Sequence, residues 1–209
     1  MVASDEEQIE RLRDWWDENG RAVIAAAVLG VVAIAGWFGW QGWQENRVAA
    51  ASQAFTMLEQ RAASDDNGEV VELAREVATT YDGTSYEPLA WLIGAGVAVE
   101  QNDLETAGAY LERVPESTDR SQLVATAELR LARVLWAQGQ LDAALAELEG
   151  APAGFEGLYA ELRGDILLDQ DMPGQGRAAY EEAVAADGAN GLVQIKLDSL
   201  PKTATGGNS

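Results

Sequence analysis

Apolar positions along the chain follow two regimes. From Ala22 to Gln44 no charged residue interrupts the sequence, and the stretch up to Trp43 is almost entirely apolar. Beyond it, apolar residues return at intervals of three and four, with polar and charged residues between them. That is the pattern of amphipathic helices, and strand-like alternation is scarce. Breakers punctuate it at Asp65-Asp66-Asn67-Gly68, Asp82-Gly83, Pro115, Gly139, Gly150-Ala-Pro152 and Asp171-Met-Pro-Gly174. They predict helices over about 44–64, 69–80, 86–100, 103–113, 121–138, 141–149, 156–169, 174–186 and 190–199. Proline is absent from these predicted interiors.

The predicted helices pair, and the pairs superpose. The second member of each carries a small residue, Ala74, Ala107, Ala144 or Gly176, at intervals of 33, 37 and 32. Twelve residues before each stands Ala62, Ala95, Ala132 or Gly164 in the first member. Small residues at matched positions let the two helices of a hairpin approach closely. The pattern resembles the tetratricopeptide repeat, a helix-turn-helix unit of about 34 residues that buries its apolar face only by stacking on neighbours. Its clearest unit runs from Gln122 through Leu148, with Leu131, Ala132, Leu135, Gly139, Ala144 and Leu148 in register. The fold class is therefore all-α: a single transmembrane helix followed by a tetratricopeptide-like, right-handed helical repeat array.

The charge-free segment reads as a membrane span. Residues 22–43 would extend about 33 Å as a helix, close to the roughly 30 Å hydrocarbon core. Trp37, Trp40 and Trp43 gather at its C-terminal end, where amphipathic rings suit the headgroup level. Ala22, Ala26 and Gly30 recur every four residues and would let another helix approach. A cleaved signal peptide, with Ala49-Ala50-Ala51 as its site, is the competing reading. It requires a basic start and a shorter apolar core. Here residues 1–21 hold seven acids against three arginines. Arg11, Arg13 and Arg21 precede the span and Arg47 follows it, which favours a cytoplasmic N-terminus. Before the span, Ser4-Asp-Glu-Glu7 reads as a capping box. Ile9, Leu12 and Trp16 fall on one face of a short helix that Asn19-Gly20 is expected to end. The organisation that follows is 1–21, an acidic cytoplasmic tail; 22–43, the transmembrane helix; 44–200, the repeat domain; and 201–209, a polar tail expected to be disordered.

Composition narrows the chemistry. The net charge is −21, which repels phosphate backbones and disfavours nucleic acid. The chain has neither Cys nor His, so thiol catalysis, disulfides, ordinary zinc sites and histidine acid–base chemistry are excluded, and no cofactor is expected. Acidic pairs such as Glu181-Glu182 have no nucleophile or phosphate loop beside them, so an enzyme is not expected.

Taken whole, the sequence resembles the YfgM family, ancillary subunits of the SecYEG translocon in Gram-negative bacteria. The resemblance rests on Trp15-Trp16-Asp-Glu-Asn-Gly20 before the span and the Trp-rich exit Gly36-Trp-Phe-Gly-Trp40. Further on it rests on Ala127-Glu-Leu-Arg-Leu-Ala-Arg133, Leu162-Arg-Gly-Asp165 and Gln194-Ile-Lys-Leu-Asp-Ser-Leu200. It implies an inner-membrane protein with a periplasmic repeat domain and, as partners, the SecYEG translocon and a membrane-anchored periplasmic chaperone of the prolyl-isomerase-like type. Secreted chains are further candidates. It also implies a second role, restraint of a cytoplasmic stress-response regulator, for which the acidic N-terminal tail is the candidate contact. No catalytic residues come with it.

For partner binding, the first helices of the pairs offer an inner stripe. Leu89, Leu92, Gly96 and Val99 lie at helical spacing, as do Thr126, Leu129, Arg133 and Trp136, and then Leu158, Glu161, Asp165 and Leu168. The candidate protein-binding groove is Leu92, Arg133, Trp136, Glu161 and Asp165. The leucines serve equally well as core between repeats.

Overall fold

The computed structural model describes residues 5–64, 68–187 and 191–200. The capping box that begins at Ser4, the breaker at 65–67 and the tail 201–209 lie outside the described residues. Nine helices and no strand occur among the described residues. They form two compact units, one up to Ala50 and one from Ala51 onward.

The first unit is helical. Helix α1 runs Asp5–Ala62, so the expected stop at Asn19-Gly20 does not occur. The reason is local. The Asn19 side-chain amide donates to the Trp15 carbonyl one turn back, at 3.1 Å, which uses Asn19 inside the helix. The Trp16 indole covers Gly20, whose missing side chain makes the room; a Cβ there would meet the ring at 3.2 Å. Gly20 costs helix propensity but is not in the left-handed conformation that ends helices. Ile24, Val28, Leu29, Val31, Val32 and Ile34 all stand exposed, more than half of each accessible, as expected of a helix made for lipid. The helix expected over 44–64 is the C-terminal part of α1, closed by Arg61 in its last turn.

In the second unit, α2 is Val70–Thr80, α3 Glu87–Glu100, α4 Leu104–Ser117, α5 Ser121–Ala137 and α6 Leu141–Ala146. Then follow α7 Glu156–Asp169, α8 Pro173–Asp187 and α9 Gly191–Ser199. In this unit two boundaries differ from the sequence reading by more than one residue. Pro115 lies inside α4 rather than ending it. So close to the C-terminus, its missing N–H forfeits only the bond to the Leu111 carbonyl. Beyond it, the Ser117 hydroxyl takes up the Val114 carbonyl at 2.8 Å. Helix α6 stops at Ala146 instead of 149, because Leu148 and Glu149 donate to carbonyls three residues back.

Three of the turns are built alike. Asn102, Gly139 and Asp171 have positive φ of 60°, 76° and 60°. In each, the next N–H reaches back five residues: Asp103 to Ala98, Gln140 to Leu135 and Met172 to Leu167, at 2.8–2.9 Å. These are left-handed helix stops that satisfy an orphan carbonyl. They recur at intervals of 37 and 32, the intervals that separate Ala107, Ala144 and Gly176. Turn and helix contact thus keep one phase.

In the last three pairs the small residues meet as the phase requires; Ala74 of the first pair lies against Gly94 of α3. Ala95 and Ala107, and then Ala132 and Ala144, are at most 1% exposed. In the α7–α8 hairpin a Cβ on Gly164 would stand 2.6 Å from the Tyr180 ring and 3.2 Å from the Gly176 carbonyl oxygen. Three apolar clusters follow in order. Leu58 of α1 joins helices α2 to α5, then Ala125, Ala132, Leu148, Tyr159 and Ile166 join α5 to α7, and Ala160, Tyr180, Ala183, Val193 and Leu197 join α7 to α9.

Candidate functional site: the groove along the first helices

Side chains of α3 and α5, together with Leu104 and Leu111 of α4, line a cavity of about 390 Å³. Gly96 and Val99 of α3 and Val134 and Ala137 of α5 give it apolar walls, with Glu100, Arg130 and Arg133 at its rim. A second cavity shares Gly96, Glu100 and Arg130 and continues past Leu89, Leu92 and Ile93 to Phe55 and Glu59 of α1. The two make one groove along the first helices. Arg130 and Arg133 project from one face of α5, three residues apart. Arg130 donates to the Leu92 carbonyl and Arg133 to the Leu129 carbonyl, both at 3.4 Å. A guanidinium has five N–H donors, and each of these bonds engages one of them.

The five residues of the predicted groove do not come together. Leu92 lines the groove but is only 8% exposed and belongs to the first core cluster. Arg133 stands exposed at the rim. Trp136 is half-buried, and its indole N–H donates to Asp169 at 2.9 Å, tying α5 to α7. Glu161 and Asp165 face α9 instead of open space: the Lys196 ammonium lies 2.8 Å from both. The Tyr180 hydroxyl donates to Asp165 at 2.6 Å. Helix α9 therefore occupies the C-terminal end of the stripe. Its apolar positions Val193, Leu197 and Leu200 pack in the third core cluster, with Lys196 among them.

Electrostatics mark the same seam. Burial pulls the Lys196 ammonium down, but hydrogen bonds and charge from Asp165 and Glu161 outweigh it and hold Lys196 above its ordinary value. Burial, then the bond to Asp165, pushes the Tyr180 hydroxyl well up. Burial and Glu128 do the same to Tyr159, which hydrogen-bonds that carboxylate. Among the described residues no group of three or more acidic side chains is arranged to hold a metal ion.

In the membrane segment, Ala22, Ala26 and Gly30 are exposed on α1, with open space above Gly30. Trp37 and Trp40 stack tilted at 5.7 Å, and the Arg47 guanidinium lies 5.4 Å from the Trp43 ring.

Residues 13–202 match the tetratricopeptide repeat-like domain family, a span that begins ahead of the apolar segment. Over 204 residues the chain is 32% identical to the ancillary SecYEG translocon subunit of Escherichia coli K12, covering 96% of this chain and 98% of that protein. It is 31% identical over 199 residues to the protein of the same name from Haemophilus influenzae, and 29% identical to that of Aggregatibacter actinomycetemcomitans. Each comparison covers 94% of this chain and 97% of the relative. The chain belongs to this family. Family membership extends through membrane helix and repeats alike, so the anchor is part of the family pattern and not an addition to it. Within that frame, the hairpins, their left-handed turns and the first-helix groove are the tetratricopeptide-like part.

Proposed function

We propose that this protein is a membrane-anchored interaction subunit of the SecYEG translocon, which helps hand secreted or outer-membrane-bound chains to periplasmic chaperones. The observation that carries the reading is the match of nearly the whole chain to relatives named ancillary SecYEG translocon subunit. A repeat array with an open groove is built to bind other chains. Three arginines before the apolar segment against Arg47 after it support an N-terminus in the cytoplasm and the repeat domain in the periplasm, at the inner membrane. The chaperone partner is of the membrane-anchored, prolyl-isomerase-like type. The test is photo-crosslinking from exposed positions of the full chain in its native membrane, with identification of the captured proteins. Translocon subunits and such a chaperone are the expected products. Their absence from the captured set would overturn the proposal.

A further inference from the structure

Four glycines near the first helices differ in what requires them. At Gly94 an added Cβ would lie 2.7 Å from the Ala74 Cβ, at Gly164 2.6 Å from the Tyr180 ring, and at Gly176 2.9 Å from Leu168. Close helix packing explains those three. Gly96 has nothing within 4 Å of where its Cβ would be. A glycine inside a helix costs roughly 0.5–1 kcal/mol relative to alanine, and no neighbour at Gly96 offsets that cost. Yet Gly96 sits where the two cavities of the groove join. Its function is the space above it.

The rim says what fills that space. The chain carries −21 overall, with 14 basic residues against 35 acids, and two of the bases, Arg130 and Arg133, stand together on the α5 side. Glu100 faces them from α3, and Glu59 lies farther along. The rest of the molecule's charge is screened over about 8 Å at physiological salt, so a segment in the 390 Å³ cavity meets two guanidinium groups against the one carboxylate of Glu100 at contact range, a local excess of positive charge. Arginine forks match carboxylates in geometry as well as charge.

We propose that this cavity receives an acidic, apolar segment of a partner protein. A bulky apolar side chain seats on Gly96 between α3 and α5, and carboxylates beside it in sequence pair with Arg130 and Arg133. This assigns a recognition surface and partner chemistry to the interaction role proposed above, and rests on that reading.

The test uses the full chain in lipid nanodiscs and a displayed library of randomised peptides. Selection is expected to enrich Asp or Glu adjacent to Leu, Phe, Met or Trp. Gly96→Leu, whose Cβ meets nothing within 4 Å, extends into the cavity and is expected to abolish that enrichment at unchanged helicity. Arg130→Glu with Arg133→Glu is expected to weaken the selected peptides by tenfold or more, about 1.4 kcal/mol, and to shift selection toward Lys and Arg. No enrichment, enrichment of basic peptides by the native chain, or full binding by Gly96→Leu overturns the proposal. So does a self-association of the native chain that Gly96→Leu abolishes, because the occupant is then a second copy. Co-purification of the native chain with translocon subunits is read in parallel. Its success beside a failed selection sinks the groove alone; its failure beside a successful one sinks the translocon reading alone.

Discussion

At the scale of single residues, Gly94 and Gly96 make a controlled comparison two positions apart on α3. Gly94→Ala drives a methyl group into Ala74 and into the Tyr110 ring, which its hydroxyl pins to the Val71 carbonyl at 3.2 Å. Overpacking of this kind costs about 1–3 kcal/mol. Gly96→Ala meets nothing and restores helix propensity, so it should stabilise by about 0.5–1 kcal/mol. Thermal unfolding followed by circular dichroism reads both; equal effects would show that the α2–α3–α4 contact is not as close as described. The sequence pattern selected Ala95, Ala132 and Gly164 because small residues recurred in phase. Gly94 lay outside that phase, since it meets Ala74 of the preceding hairpin as well as Tyr110 of its own. Ala132, fully buried with Ala144, remains the position where a large ring does most harm. Ala132→Trp should unfold at markedly lower temperature, by overpacking of the same order or greater, and a neutral effect would remove Ala132 from the hairpin interface.

At the scale of elements, helix positions were legible because the apolar period is strong, and the misjudged ends have local causes. Pro115 is tolerated near a C-terminus, and Gly20 is covered by Trp16. The larger surprise is α9. Periodicity predicted the helix but not that Lys196 would cross to Glu161 and Asp165, because pairing over 31 and 35 residues leaves no local signature. That seam has a pH signature. Lys196 and Tyr180 are both held above their ordinary values in the folded chain, so the native state keeps protons that the unfolded state releases. Their contribution is complete below about pH 10, where unfolded lysine and tyrosine begin to titrate, and is lost as pH rises through the folded values. The unfolding temperature should fall above about pH 10. In Lys196→Met the fall should be shallower from a lower starting point. An identical alkaline slope in this variant would mean that Lys196 is not held by the two carboxylates.

At the scale of the molecule, the sequence divides function between a lipid-facing helix and a repeat array, and the two halves can be tested apart. The array from Ala51 onward has its own core, with Ala51 and Leu58 fully buried at its start. A fragment from Glu45 should fold alone as an α-helical domain, since each hairpin buries its apolar face on the next; substantial sheet by circular dichroism would contradict this. Its position relative to the membrane is testable too. Protease added to spheroplasts should digest the chain beyond Trp43 and spare the segment before Arg21, and a protected C-terminal domain would reverse the orientation. The last expectation joins the two halves. The groove, one of whose two cavities is about 390 Å³, stands open to solvent, where an ion pair contributes little. Confinement of both partners to one bilayer makes their encounter effectively intramolecular, and effective concentrations in the millimolar range let weak contacts suffice. The full chain should therefore co-purify with its membrane partners in mild detergent. A fragment lacking 1–43 should retain the groove's peptide preference and yet recover those partners poorly. If the fragment recovers them as well as the full chain does, the repeat array alone carries the affinity, and the anchor serves only to place it.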